Sequence, residues 1–163
     1  MIYNIINYYP ESVEVADQSA LRDRMLVQDF VEGELHIELR DKIESYVRKI
    51  VKEEEVSLVC FIPASTRSKT ILRFGELSSH LAMALDCDVY LDVITLKADA
   101  DPITHEVFFQ CNPVRARGKN VLVIGGIYAS KKADESISGL LLDSGASKVE
   151  ELYVAKVVNQ QNQ

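Results

Sequence analysis

The apolar stretch Val56-Ser57-Leu58-Val59-Cys60-Phe61-Ile62 is followed directly by the polar stretch Pro63-Ala64-Ser65-Thr66-Arg67-Ser68-Lys69-Thr70. A nearly continuous apolar run is typical of a strand that is covered on both faces of a parallel sheet. After the polar stretch, apolar residues recur at helical spacing at positions 71, 74, 77, 81 and 85. The sequence here predicts a strand, a turn and a helix, which is the repeating unit of a parallel α/β fold.

Upstream of this unit, the sequence predicts one strand and two helices. Residues 1–9 are rich in β-branched and aromatic side chains, which predicts a strand. Asp17 is a predicted N-cap for a helix that continues to about Val31 and is broken by Gly33. Apolar residues at helical spacing between positions 35 and 50 predict the second helix.

Downstream, strands and helices continue to alternate. The pattern predicts strands at 89–96, 121–127 and 149–158, with a long loop or a short hairpin at 99–119. A further helix ends at Asp143-Ser144-Gly145, where the glycine is a predicted C-cap. The predicted fold is therefore a parallel sheet flanked by helices, with an N-terminal strand and helices before the parallel core.

The composition limits the chain to one domain and excludes several classes of function. A chain of 163 residues that is 47% hydrophobic suffices for one core, predicted over residues 1–158 with a polar tail at 159–163. The net charge of −7, from 18 Lys and Arg against 25 Asp and Glu, argues against extensive nucleic-acid binding. No apolar run approaches the roughly 20 residues of a membrane helix, so no membrane partner is expected. The three cysteines fit neither a disulfide framework nor a zinc ligand set, which predicts a reducing compartment and a cytoplasmic protein.

Two predicted turns carry most of the chemistry that the sequence indicates. Ligands of a parallel sheet bind beyond the carboxyl ends of the strands, where the strand order changes direction. The turn after the first quoted strand contains Arg67 and Lys69, and the turn Gly125 to Ala133 contains Lys131 and Lys132. Cations at a helix N-terminus oppose the helix dipole by about 0.3–1 kcal/mol each unless an anion is bound there. The pattern indicates a phosphate-type pocket, and solvated lysines in ordinary turns are the open alternative.

Several short segments carry a resemblance to a known family. They are Tyr8-Tyr9-Pro10, Asp29-Phe30-Val31-Glu32-Gly33, the segment Ile62 to Thr70 with Arg73-Phe74 after it, and residues 121–133. In this order they resemble elements of the type I phosphoribosyltransferases, in particular of the small branch related to the competence protein ComF. The third segment is similar to the family's pyrophosphate-contacting loop, and the last lies where the family has its phosphoribosyl pyrophosphate (PRPP) signature.

The PRPP signature departs from the family pattern at its acidic pair. Gly125 and Gly126 stand at the two acidic positions, Ala129 and Ser130 at the threonine positions, and Lys131 at the glycine position. In active members of the family the two carboxylates hold the ribose hydroxyls, directly or through magnesium. Losing two charged hydrogen bonds of roughly 1.5–3 kcal/mol each costs about 3–6 kcal/mol. That loss is on the order of a hundred- to ten-thousand-fold in rate.

With this departure, the resemblance implies a catalytically degenerate phosphoribosyltransferase-like protein that keeps an anion or phosphorylated-nucleotide pocket. The donors that remain are Ser65, Thr66, Arg67 and Lys69 on the pyrophosphate side, and Ser130, Lys131 and Lys132 on the phosphate side. An active PRPP-dependent transferase, with ribose and magnesium contacts rebuilt by Asp99 and Asp101, is one alternative, and magnesium is an expected cofactor only there. A protein-interaction module on the same fold is the other. The resemblance implies a phosphorylated small molecule as the expected ligand. Because the family often dimerises, it also leaves a homodimer open.

Histidines and cysteines are weaker candidates for chemistry. His105 lies in a predicted loop with no identified partner, so its role stays open. His36 and His80 lack metal-ligand spacing, and no metal site is predicted. Cys60 lies inside a predicted buried strand, where a thiol behaves as a small hydrophobic group.

Two further groups of residues have structural interpretations. Arg115, Arg117 and Lys119 precede a predicted strand, so we expect them at the amino end of the sheet as surface charges. Tyr128 has two interpretations, stacking on a base or ribose and packing in the core or a dimer interface, of which packing is favoured.

Overall fold

The chain folds as strands and helices in alternation. The structure, a computed structural model, describes residues 1–98, 101–104, 108–128 and 131–158, with only the backbone described at 131–135. The elements in chain order are β1 (Ile2–Tyr8), α1 (Gln18–Val31), α2 (Ile37–Glu53), β2 (Leu58–Phe61), α3 (Arg67–Ala84), β3 (Asp88–Val89), β4 (Ile94–Leu96), β5 (Phe109–Cys111), α4 (Pro113–Ala116), β6 (Asn120–Tyr128), α5 (Lys131–Asp143) and β7 (Lys148–Val157). Within the described residues, no helix combines the length and the apolar character that crossing a membrane requires.

The main sheet has the strand order β1-β7-β6-β2-β3, and its strands pair in parallel. Buried residues of α1, α2 and α3 form a hydrophobic core with one face of the sheet. Buried residues of α4, α5 and β4 form a second core with the other face. The predicted fold class, a parallel sheet flanked by helices with an N-terminal strand and helices, is confirmed.

Three aromatic rings fix α3 against the sheet. The ring centroid of Phe74 on α3 lies 5.8 Å from that of Phe30 on α1 and 5.2 Å from that of Phe61 on β2. All three side chains are buried. Aromatic pairs at this spacing add to the free energy gained by burial alone. The start of α3 is therefore held in a set position beside the carboxyl end of β2.

The predicted helix ends at both termini of the domain are confirmed. The Ser19 N–H donates to Asp17 Oδ1 at 2.9 Å, so Asp17 caps α1 as expected. At the other end of the chain, α5 ends at Asp143, and Gly145 follows with a φ of 100°. The Ala146 N–H donates to the Leu141 carbonyl at 3.1 Å, which closes that helix end.

The strand predicted at 89–96 is wrong in its extent, because two separate strands occupy it. The first, β3, pairs with β2 in the main sheet. The second, β4, leaves the sheet and pairs antiparallel with β5, with Ile94 opposite Cys111. Val93 and Ile94 are buried in the second core, and this burial accounts for the departure from the main sheet. The segment 99–119, predicted as a long loop or a short hairpin, contributes only β5 to this antiparallel pair, because β4 precedes it. We call the β4–β5 pair the hairpin.

Candidate functional site

The strand order changes direction between β2 and β6, at the centre of the sheet. The chain leaves β2 through α3 toward β3 on one side, and leaves β6 through α5 toward β7 on the other. Because β2 and β6 are parallel neighbours, with Phe61 opposite Ile124, their carboxyl ends lie side by side. This switch point is where open parallel sheets bind ligands. The two turns singled out in the sequence both follow these two strands.

The loop between β2 and α3 is held by hydrogen bonds from its own threonines. The Ala64 N–H donates to Thr70 Oγ1 at 2.9 Å, and the Thr70 hydroxyl donates to the Thr66 carbonyl at 2.8 Å. The Thr66 hydroxyl accepts the Lys69 N–H at 3.1 Å and so caps α3. Thr66, predicted as a phosphate donor, therefore has a capping role in this structure. The adjacent Ser65 is half-buried.

The first turn of α3 presents free backbone donors. Within the described part of the chain, the N–H groups of Arg67 and Ser68 have no hydrogen-bond acceptor. Such groups, together with the positive end of the helix dipole, favour an anion at this position. The first turn of α3 also contains no acidic residue that would occupy them.

A cleft of about 560 Å³ opens beside this turn, and Arg67 forms part of its wall. Pro63, Arg67 and Ile71 line it from the α3 side, and Asp92, Thr95 and Gln110 line it from the side of β3 and the hairpin. Six of the twelve lining residues are apolar and six carry polar side chains, so the cleft offers both apolar surface and hydrogen-bonding groups to a small molecule.

Lys69 is not among the residues that line this cleft. Residues two apart in an α-helix project about 200° from each other, so Arg67 and Lys69 face different sides of α3. Lys69 shares a helix face with Arg73, four residues later. Whether Lys69 contacts the same ligand as Arg67 stays a prediction.

Arg73 is a charged residue at the switch point to which the sequence interpretation gave no role of its own. Its Nη1 lies 3.4 Å from the position that a Cβ atom on Gly126 would take. Its Nε is buried without a hydrogen-bond acceptor in the described residues. Burial lowers the pKa of Arg73, and nearby Glu32 partly counteracts this. Only the tertiary structure reveals this burial, although the residue lay within a motif that the sequence singled out.

Gly125 and Gly126 belong to β6 and do not form a turn. The strand continues to Tyr128 and pairs with β7, with Gly125 opposite Tyr153. The strand predicted at 121–127 is thus present, and the overlapping prediction of a turn that begins at Gly125 is wrong, because β6 stays paired with β7 as far as Tyr128. A Cβ atom on Gly125 would lie 2.6 Å from Tyr153 Cε1 and 2.9 Å from Ile62 Cδ1. The space beside Gly125 is filled by this tyrosine.

The second half of the predicted pocket lies mostly outside the described residues. Ser130 is outside them, as is Ala129, and only the backbone of Lys131 and Lys132 is described, at the start of α5. The position of α5 after β6 agrees with the expected order of elements. Whether these three residues face Arg67 stays a prediction.

The proposed substitutes for the acidic pair are also only partly described. Asp99 and His105 lie outside the described residues. Asp101 Oδ1 accepts the N–H groups of Ile103 at 2.8 Å and Thr104 at 3.0 Å. These hydrogen bonds lower the pKa of Asp101. The Asp101 carboxylate therefore stabilises its own turn.

The other basic and aromatic candidates have structural partners. Lys119 directly precedes β6 at the amino end of the sheet, as predicted. Arg115 makes specific contacts, because its guanidinium lies 3.9 Å from the ring centroid of Tyr90 and 3.5 Å from Oδ1 of Asp92, which is itself a residue of the cleft wall. Tyr128 packs edge-to-face on Tyr153 at 4.9 Å between ring centroids, which is the packing role that was favoured.

A solved structure resembles the chain. It is the crystal structure of purine phosphoribosyltransferase from Pyrococcus horikoshii Ot3, with a TM-score of 0.46 and 11% sequence identity, covering 76% of this chain and 89% of that chain. No protein-family model and no curated protein matches the chain. The likeness concerns the course of the backbone, since the two chains share little sequence.

Proposed function

We propose that this protein is a phosphoribosyltransferase-like protein that binds a phosphorylated small molecule at the switch point between β2 and β6, without efficient phosphoribosyl transfer. The observation that carries the proposal is the position of Arg67. It stands at the start of an 18-residue helix, in the wall of a cleft at the carboxyl edge of the sheet. Its own N–H and that of Ser68 have no acceptor among the described residues. The positive end of the α3 dipole, the backbone N–H donors and the Arg67 cation together favour the binding of a phosphate group at this position.

The resemblance of the sequence to the PRPP signature supports the ligand class. In this proposal Ser65, Arg67 and the first turn of α3 contact one phosphate group, while Ser130, Lys131 and Lys132 contact another. Thr66 contributes by capping α3, which holds the free N–H groups in place. Arg73 adds positive charge on the side of α3 that faces β6, and Lys69 lies one helical turn before it on α3.

The loss of efficient transfer follows from Gly125 and Gly126. Neither glycine can hold a ribose hydroxyl through a carboxylate, and Tyr153 fills the space beside Gly125. The alternative of an active transferase requires other carboxylates. Asp101 already accepts two backbone N–H groups in its own turn, which argues against its use as a replacement. Magnesium accordingly has no proposed role in binding.

The proposal is tested by calorimetric titration with ribose 5-phosphate and with inorganic pyrophosphate. Arg67→Ala is expected to weaken binding by about tenfold or more, because a hydrogen bond to a charged group contributes about 1.5–3 kcal/mol. Arg40→Ala is the matched control, since Arg40 pairs with the adjacent Asp41 on α2 and does not line the cleft. Equal affinities for the two variants, or no binding by the wild type, would refute the site.

The double variant Lys131→Ala/Lys132→Ala separates anion binding from the interaction module. A phosphate pocket predicts weaker binding of ribose 5-phosphate by the double variant. A module that only contacts other proteins predicts no binding of this ligand by any variant. A cytoplasmic location and a homodimer stay predictions that accompany this proposal, and sedimentation analysis checks the second.

A further inference from the structure

The connection between α1 and α2 brings three potential metal ligands together. Asp29 lies in the last turns of α1, Glu34 lies in the connection, and His36 is the N-cap residue of α2. One ligand atom from each of these side chains lies within 4.8 Å of the other two. His36 Nε2 is 2.7 Å from Asp29 Oδ2 and 3.9 Å from Glu34 Oε1. We call these three residues the Asp29–Glu34–His36 cluster.

The backbone of the connection holds this cluster in place. Gly33 has a φ of 103°, which only glycine adopts readily. Its N–H donates to the Phe30 carbonyl at 3.0 Å, and the Glu34 N–H donates to the Asp29 carbonyl at 2.8 Å. These two hydrogen bonds form a Schellman motif at the end of α1. Because one of them joins Asp29 to Glu34, the two acidic residues are adjacent before any ligand binds.

His36 is the basic side chain that contacts the two carboxylates of the cluster. Within the described residues, neither Asp29 nor Glu34 pairs with a lysine or an arginine. The Asp29 and Glu34 carboxylates are close enough to repel each other, and an N–H at His36 Nε2 can donate a hydrogen bond to only one of them at a time. A divalent cation would be attracted by both carboxylates at once.

Helix capping does not explain the histidine. Residues that cap helices well are Ser, Thr, Asp and Asn. His36 occupies the N-cap position of α2 but makes no side-chain capping hydrogen bond there. Its ring instead faces the two carboxylates, where a neutral imidazole nitrogen is a good metal ligand.

We propose that the Asp29–Glu34–His36 cluster binds a divalent transition-metal ion of the Zn²⁺ type. Imidazole nitrogen with carboxylate oxygen suits such ions better than Mg²⁺ or Ca²⁺, which prefer oxygen ligands alone. Zn²⁺ lies about 2.0–2.2 Å from nitrogen and oxygen ligands, so tetrahedral ligands are roughly 3.4 Å apart. The distances of 2.7 and 3.9 Å bracket this value.

This site is independent of the proposed anion pocket. It replaces the sequence expectation that no metal binds, which rested on histidine spacing alone. The Glu34 side chain is 70% exposed, so the ion is accessible from solvent. Three protein ligands leave a fourth tetrahedral position for water or another ligand.

The test titrates the full chain with Zn²⁺ by calorimetry and with Co²⁺ by visible absorption. We expect one ion per chain and Co²⁺ absorption bands in the visible range. His36→Gln and Glu34→Gln are each expected to weaken binding by about tenfold or more. Glu34→Gln changes an exposed side chain, so it tests the site even if His36→Gln impairs folding.

His80→Gln is the matched control. His80 Nε2 lies 2.5 Å from Glu44 Oε1, which makes a histidine–carboxylate pair without a second carboxylate within 4.8 Å among the described residues. This variant is expected to keep the wild-type affinity for Zn²⁺. Absence of stoichiometric binding by the wild type would overturn the proposal. Equal weakening by His36→Gln and His80→Gln, or unchanged binding by Glu34→Gln, would also overturn it.

Discussion

Adding one methyl group at Gly125 should destabilise the protein, whereas the same change at Gly126 should not. In Gly125→Ala the new Cβ atom lies 2.6 and 2.7 Å from two ring atoms of Tyr153 and 2.9 Å from Ile62 Cδ1. Tyr153 is 5% exposed and packs on Tyr128, so its ring has little room to move. The strand or the ring must shift.

The magnitude follows from two opposing effects. Overpacking a well-packed core costs about 1–3 kcal/mol. Replacing glycine with alanine inside a strand returns about 0.5–1 kcal/mol through backbone entropy. The expected net loss for Gly125→Ala is about 1–2 kcal/mol. For a domain of this size, that corresponds to a Tm lower by roughly 2–8 °C.

Gly126→Ala is the matched control in the adjacent residue. Its Cβ atom meets Arg73 Nη1 at 3.4 Å, which is the mobile end of a long side chain. We expect a stability within about 0.5 kcal/mol of the wild type, or an increase of up to about 1 kcal/mol. Urea denaturation and thermal unfolding followed by circular dichroism measure both variants. If Gly125→Ala is as stable as the wild type, or Gly126→Ala is equally destabilised, the account of why no side chain stands at Gly125 is refuted.

Three smaller predictions concern other parts of the fold. Burial raises the pKa of the Cys60 thiol, which makes the thiol unreactive in the native protein. Mass spectrometry should therefore find Cys60 unmodified by iodoacetamide until denaturant is added. Modification of the native protein would contradict its position in β2. Hydrogen bonds from Arg48 and His80 lower the pKa of Glu44 below its ordinary value of 4.5, so its contribution to stability is present above that pH and is lost as the pH falls below it. The stability difference between wild type and Glu44→Gln, from urea denaturation, should shrink on acidification, and a constant difference would oppose this. Asp17→Ala removes the cap of α1 and should cost about 1 kcal/mol, while Asp17→Asn should cost much less, and equal losses would rule out capping as the cause.

The sequence predicted those parts of the fold that depend on local patterns. Asp17 caps α1 because its side chain bonds a backbone group two residues away, a contact that any chain with this local sequence can make. The strand β2 has the apolar run expected of a strand buried on both faces. Such features need no knowledge of distant residues.

The sequence predictions were wrong where contacts with residues distant in the sequence determine the local structure. Glycine pairs are typical of turns, but Gly125 and Gly126 remain in β6 because that strand pairs with β7 as far as Tyr128. The strand predicted at 89–96 divides because Val93 and Ile94 are buried in the second core, which no periodicity in that segment indicates. The Asp29–Glu34–His36 cluster was not predicted, because the backbone between α1 and α2 brings its three side chains together.

The candidate pocket also has one part that local sequence predicted and another part that it did not. Local sequence identified the first turn of α3, including Arg67, as a place for an anion, and the structure puts this residue in the wall of a cleft. The opposite wall comes from the hairpin, whose Thr95 and Gln110 carry no motif. Helical geometry turns Lys69 to another side of α3 than Arg67, so whether it contacts the same ligand stays a prediction.

The measurement that tests the central claim most directly is calorimetric titration of the wild-type protein with PRPP, with and without magnesium. The account predicts binding of the same affinity under both conditions, because phosphate donors remain at the switch point while Gly125 and Gly126 supply no carboxylate for a metal-bridged ribose. Binding that requires magnesium, accompanied by transfer of the phosphoribosyl group to a base, would contradict it.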